Sequence, residues 1–350
     1  MRVYNILILI LLISTSLFAV ELPKPPTQPA TGYGGKNYKY NQIKIISSIS
    51  KGFSGYYIFE PKDYKNTMAP IIVFIHGWAA IKPYAYRLFI EHLVKQGYIV
   101  IYPTYQRLIA LPRKFTEHTV KDIKKALNKL YTSDYIKPDI SNFGIIGHSA
   151  GGVIAANIGV IAIDDPEIPQ PKFILSIEPG ITTIPPESRK AGRGRSTSYV
   201  RIPLLDLRKL PPSTYLITIS CDEDTNVFDQ DAKKIYSDSV NIPPINKAHL
   251  IIHSDYHGYP PLIADHLAPL SIPVDNFLSV VPKDNKLFNK PINRIKANAL
   301  DYYGFWKIAD MLIDISFINN KSMNLNCSTA ELYMGKWSDG TNVKKISIDN

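Results

Sequence analysis

A serine hydroxyl is a poor nucleophile at neutral pH, so the residues around it decide whether it can react. In Gly147-His148-Ser149-Ala150-Gly151 one serine stands between glycines two positions to either side. The segment follows the apolar run Asn142-Phe143-Gly144-Ile145-Ile146 and leads into an apolar stretch from Val153 to Ile163. Strand, sharp turn and helix in that order predict a nucleophile elbow. The turn holds the serine in a strained backbone conformation with its oxygen exposed, and the glycines keep neighbouring chains from clashing. The Ala150 N–H then lies at a helix start, where its partial positive charge can stabilise an oxyanion. A metal alternative draws on Asp255, His257, Asp265 and His266, but no His-Glu-x-x-His or similarly spaced helical pair accompanies them. Neither a Walker-type loop nor a strand-linked Gly-x-Gly-x-x-Gly occurs. The expectation is therefore no metal and no cofactor.

The elements that would carry this serine alternate between β-branched runs and helical patterns, as in a doubly wound, mostly parallel sheet with helices on both faces. Residues 42–50 and 56–60 read as two opening antiparallel strands, and Ile71 to Ile75 as a strand buried on both faces. A helix over 84–96, a strand over 97–102 and an amphipathic helix over 115–131 follow. Beyond the serine, strands are predicted at 173–177, 214–219 and 249–253, with a closing helix over 299–317. Residues 179–212, rich in Pro, Gly, Arg and Ser, are too long for a simple connection and read as a cap or active-site loop insertion.

Over roughly residues 41–318 the chain resembles the α/β-hydrolase superfamily, within it the secreted lipase or esterase, cutinase-like polyesterase and acetylhydrolase branches. The resemblance brings a second motif: His76-Gly77-Trp78, directly after the Ile71–Ile75 run, is similar to the superfamily's oxyanion loop. It implies that the Trp78 N–H assists that of Ala150. The superfamily order of nucleophile, acid and histidine implies an acid in Cys221-Asp222-Glu223-Asp224-Thr225-Asn226-Val227. Asp224, three residues before a valine, matches that turn, and Asp222 is its rival. The general base is implied a few residues past the last strand. His257 fits that place, with His266 as the alternative, and His148 is implied to be structural. The α/β-hydrolase fold and a carboxylic ester hydrolase acting through Ser149, His257 and Asp224 are the expectation. The alternatives are a peptidase or amidase with the same triad, or a non-catalytic envelope-binding protein on the same scaffold.

The rest of the sequence bounds compartment and partners. Met1-Arg2, the aliphatic run Ile6 to Ile13 and a small residue at Ala19 read as a signal peptide over 1–19, implying export to a periplasmic or extracellular space. A Pro/Gly-rich linker or arm over 20–40 precedes the catalytic domain at 41–318, and 319–350 form a C-terminal extension. The net charge of +10 comes mostly from scattered lysines, which favour solubility and weak attraction to acidic envelope surfaces rather than nucleic-acid binding. The denser run Arg189, Lys190, Arg193, Arg195 and Arg201 could attract anionic substrates or the envelope. The expected partner is a small-molecule, lipid or polymer ester. With only two cysteines, Cys221 and Cys327, a disulfide-dense framework is excluded, while a single bridge stays open.

Overall fold

The computed structural model of the protein describes residues 21–52, 54–107, 110–180, 201–273, 294–319 and 330–349. The aliphatic runs form one nine-stranded sheet in the order β1-β2-β4-β3-β5-β6-β7-β8-β9. At one edge β1 (Ile43–Ile49) pairs antiparallel with β2 (Gly55–Pro61), and β2 pairs antiparallel with β4 (Ile99–Pro103). From β4 the sheet runs parallel through β3 (Met68–Ile75), β5 (Lys137–His148), β6 (Phe173–Ile177), β7 (Tyr215–Cys221) and β8 (Lys247–Ile252). This is the doubly wound sheet the alternation of elements predicts. From β3 the chain passes first to β4 on one side and later to β5 on the other. The carboxyl ends of β3 and β5 therefore flank the crevice where open α/β sheets place their ligands.

Side chains alternate along the strands because the period of an extended chain is two. Ile72, Phe74, Val100, Tyr102 and Ile146 face one core with α1 (Arg87–Gln96) and the C-terminal helical segment. Ile71, Val73, Ile75, Ile101 and Ile145 face a second core with α2 (Phe115–Thr132) and α3 (Ala150–Asp164). Gly97 ends α1 in the left-handed conformation, at φ 113°. α3 is apolar all round and is buried from Ala150 to Val160, so its N-terminus opens directly under the crevice.

Three features depart from the expectations. A short helix, α4 (Gln230–Asp238), follows the turn that carries Asp224 and buries Asp231, Ala232 and Ile235. The closing helix is α5 (Trp306–Ile313) flanked by wider π turns at Asp301–Phe305 and Asp314–Ile318. Residues 21–40, from the segment read as a Pro/Gly-rich linker or arm, are an arm clipped to the body rather than a free linker. Gly34 N–H donates to the buried Asp310 carboxylate at 2.7 Å, and the same carboxylate takes His92 Nε2 at 3.0 Å. A side chain at Gly34 would overlap the Tyr302 carbonyl, and its φ of +75° is one glycine adopts freely.

The C-terminal extension is also docked. β9 (Ser347–Ile348) adds antiparallel to the edge of β8, and Trp337 is fully buried. Lys24 and Ser338 exchange backbone and side-chain hydrogen bonds at 2.9 Å, so arm and extension meet. Most of the 179–212 insertion, most of the arginine-rich run, Cys327 and the 1–19 segment lie outside the described residues. No helix among the described residues is long and apolar enough to cross a membrane.

Candidate active site

Ser149 stands at the junction of β5 and α3 with φ 56° and ψ −122°, a left-handed conformation that non-glycine residues seldom adopt. The surroundings hold it there. Its N–H donates to the Ile177 carbonyl at 2.9 Å, and its carbonyl accepts Gly152 N–H at 2.9 Å and Gly180 N–H at 3.2 Å. The glycines are steric necessities: a Cβ on Gly147 would lie 2.1 Å from the Gly151 carbonyl, and one on Gly151 would lie 2.1 Å from that of Ile75. β3 delivers His76-Gly77-Trp78 to the same place, for a Cβ on Gly77 would be 3.2 Å from Ser149 Cβ. Ala150 is the first residue of α3, so its N–H belongs to the positive helix end beneath Ser149.

The histidine beside this serine is His266. Asp224 is an acceptor only, so it takes the His266 Nδ1 hydrogen at 2.7 Å, which leaves the Nε2 lone pair for the Ser149 hydroxyl at 3.0 Å. Asp224 follows β7 and is fixed in turn: its other oxygen accepts Asn226 N–H at 2.7 Å and Val227 N–H at 3.2 Å. The chain from hydroxyl to carboxylate is mostly shielded, with the Asp224 side chain 1% exposed and that of His266 14%.

His257 is therefore not the histidine beside Ser149, contrary to expectation. Its Nε2 pairs with Asp339 of the C-terminal extension at 2.7 Å, and the side chain is 37% exposed. The reason is a small excursion after β8. Asp255 and Leu262 pair as an isolated antiparallel bridge, so residues 256–261 swing outward and the chain returns inward only at Ala264 to Leu267. Asp222 is likewise not the carboxylate on His266. It accepts Ser254 N–H at 2.9 Å and faces His253 Nδ1 at 3.1 Å, fastening the base of the loop. Glu223 continues the seam, its N–H donating to the Ala264 carbonyl and its carboxylate accepting Tyr256 Oη–H at 2.6 Å.

His148 belongs to a second buried network. Gly77 N–H donates to Tyr86 Oη at 2.9 Å, and the Tyr86 hydroxyl in turn reaches His148 Nδ1 at 2.8 Å. His148 Nε2 then faces Glu178 Oε2 at 3.3 Å. Burial holds His148 well below the usual imidazole range. Glu178 is wholly buried at the carboxyl end of β6, and burial, reinforced by the Asp224 charge, pushes its carboxyl well above the usual range. His76 lies fully buried against Tyr105, ring centroids 4.3 Å apart, and burial lowers it to about 4. Burial likewise raises the Cys221 thiol at the end of β7. Glu178 and Tyr86 went unnoticed in the sequence. The readable signal was an acid placed directly after the buried strand Phe173–Ile177, at the end of the sheet where sites form.

At the rim, Trp78 is 42% exposed and packs edge-on against Phe115, with centroids 5.5 Å apart. Phe228, four residues past Asp224, is 38% exposed. Asp255, His257, Asp265 and His266 do not converge: Asp255 accepts Trp337 Nε1–H and Lys344 N–H, and Asp265 pairs with Arg294 at 3.0 Å.

The model of the chlorophyllase family matches residues 31–176, less than half of the chain but the part that carries the β3 motif and the elbow. No curated protein matches the sequence. Among solved structures, one described as a structural analysis of two fungal esterases from Rhizomucor miehei is similar at 14% identity and a TM-score of 0.46, covering 62% of this chain and 76% of that one. The sheet order, the elbow at the end of β5 and the family match place this chain among the α/β-hydrolases, in the class of the carboxylic ester hydrolases.

Proposed function

We propose that Ser149, His266 and Asp224 form the catalytic triad of an exported serine esterase. The observation that carries this reading is the single imidazole bridging Ser149 Oγ at 3.0 Å and Asp224 Oδ2 at 2.7 Å. Ser149 Oγ attacks the ester carbonyl while His266 Nε2 takes its proton, and Asp224 keeps the Nδ1 tautomer and stabilises the imidazolium. The Trp78 and Ala150 N–H groups hold the tetrahedral oxyanion. His266 then returns the proton to the leaving alkoxide oxygen, and the acyl group stays on Ser149. Water, deprotonated by His266, attacks the acyl-enzyme and releases the carboxylic acid. The exposed ring of Trp78, next to Gly77, offers the ester's apolar part a surface near Ser149. The substrate class is an apolar carboxylic ester, small or lipid-like.

A fluorophosphonate probe, which reacts with activated serines, tests the reading without a known substrate. Label on the Ser149 peptide, lost in His266→Ala, is the expected result. Folded, unlabelled protein would overturn it. Export rests on the Met1 to Ala19 pattern, and N-terminal sequencing of the secreted protein should begin near Val20.

A further inference from the structure

The second buried network meets the triad. Ligand atoms of His148, Glu178 and His266 all lie within 4.8 Å of one another. Both imidazoles are already oriented through their Nδ1 atoms, His148 by the Tyr86 hydroxyl at 2.8 Å and His266 by the Asp224 carboxylate at 2.7 Å. Zinc-binding histidines are held in this way: the second ring nitrogen is hydrogen-bonded to a carboxylate or other outer partner, and the first is left for the metal. Glu178 brings a carboxylate to the same place. Its Oε2 is 3.3 Å from His148 Nε2, its Oε1 is buried with no well-formed hydrogen bond among the described residues, and the Cys221 thiol lies beside the carboxyl. Ligands about 2.1 Å from a tetrahedral zinc stand roughly 3.4 Å apart, close to that spacing.

We propose that His148, Glu178 and His266 form a binding site for zinc, and that filling it switches hydrolysis off. Two imidazoles and one carboxylate are a donor set zinc favours over magnesium or calcium, which prefer all-oxygen ligands. Tyr86 can serve the bound form as well, its hydroxyl accepting the Nδ1 hydrogen of a metal-bound His148. Inhibition follows from shared use of one atom. A zinc ion on His266 Nε2 occupies the lone pair that must receive the Ser149 proton, so base and ligand roles exclude each other. This regulation rests on the triad reading above, whereas the metal site itself does not.

The test uses the purified chain, zinc chloride as the only added ligand, and p-nitrophenyl acetate as the ester. Zinc binding is followed by competition with a chromogenic chelator, alongside hydrolysis and a thermal melt of each variant. The wild-type chain should bind one zinc and lose hydrolysis in step with its occupancy, while magnesium at the same concentration has no effect. Glu178→Gln and His148→Gln, folded by their melts, should each weaken zinc binding by at least about 10–100-fold. Zinc bound equally well by both variants, or bound without loss of hydrolysis, overturns the proposal. Zinc binding that Glu178→Gln abolishes in a protein hydrolysing no ester would retain the site and remove the triad reading. Hydrolysis indifferent to zinc would do the reverse.

Discussion

Ser149 and His266 meet at 3.0 Å, yet they are held in different ways. The serine is fixed mostly by its neighbours in sequence. Gly147 and Gly151 flank it at the junction of β5 and α3, and from farther along the chain Ile75 lies against Gly151 while Ile177 and Gly180 bond with the serine's own backbone. The histidine sits on a loop without helix or long strand and is fixed from afar. Asp222 and Glu223 fasten the loop to the end of β7, and Asp255 ties it to Trp337 and Lys344. Pro23 of the N-terminal arm accepts Tyr259 N–H at 2.8 Å. The serine is thus set mostly by its own strand–turn–helix segment, and the histidine mostly by tertiary ties.

The comparison is broken most directly at its two ends. Ser149→Ala and His266→Ala should each lower kcat by about 10⁴–10⁶-fold, as single removals from acting triads do, whereas His257→Ala should leave kcat near that of the wild type. Steady-state hydrolysis of a p-nitrophenyl ester decides it, and the opposite pattern at the two histidines would sink the assignment. Asp224→Asn keeps the shape but offers Nδ1 the wrong partner, so kcat should fall by about 10⁴-fold with little change in KM.

A finer test asks whether the histidine is held from a distance. Asp255→Ala removes the acceptor for Trp337 and Lys344 without touching the triad. A misplacement of about 1 Å can cost around 10²-fold, so a fall in kcat of up to that size is expected, with fluorophosphonate labelling of Ser149 slowed in proportion. Labelling at the wild-type rate would show the tie to be dispensable.

The smallest effect is on stability and concerns the serine's side of the site. His76 is buried with its pKa lowered to about 4. Below its ordinary value of about 6.5 the unfolded chain binds a proton that the folded chain refuses, so stability is lost as pH falls from about 6.5 toward 4. The shift corresponds to about 3 kcal/mol at most, and His148, lowered in the same direction, adds to the slope. Urea titrations at pH 7, 5.5 and 4.5 should show the decline, and His76→Gln should flatten it.

How much of this could be read from the sequence follows the same division. The elbow and the parallel strands were legible because glycine spacing and apolar runs are local patterns. Asp224 was preferred to Asp222 only through the resemblance to the superfamily's acid turn, since a place directly after a strand suits both residues. His257 and His266 are both plausible by spacing, and what separates them is the Asp255–Leu262 bridge, a single isolated pair that no periodicity announces. The α4 helix is only 9 residues long, short for a periodic signal, and Glu178 reads as an ordinary acid until β6 is placed next to β7. The reading of residues 20–40 stayed open between linker and arm because Pro and Gly record the shape of a segment, not whether it has a surface to lie on.

The docking of the C-terminal extension has a consequence for the order in which the molecule becomes competent. Synthesis delivers the chain from its N-terminus, so Ser149 and Asp224 can be in place while Trp337 and Lys344 are still to be made. Until those residues arrive, the loop bearing His266 lacks the ties that Asp255 gives it. On the triad reading proposed above, a chain folded only as far as His266 would hold its nucleophile in place while its base lacked the ties to Trp337 and Lys344.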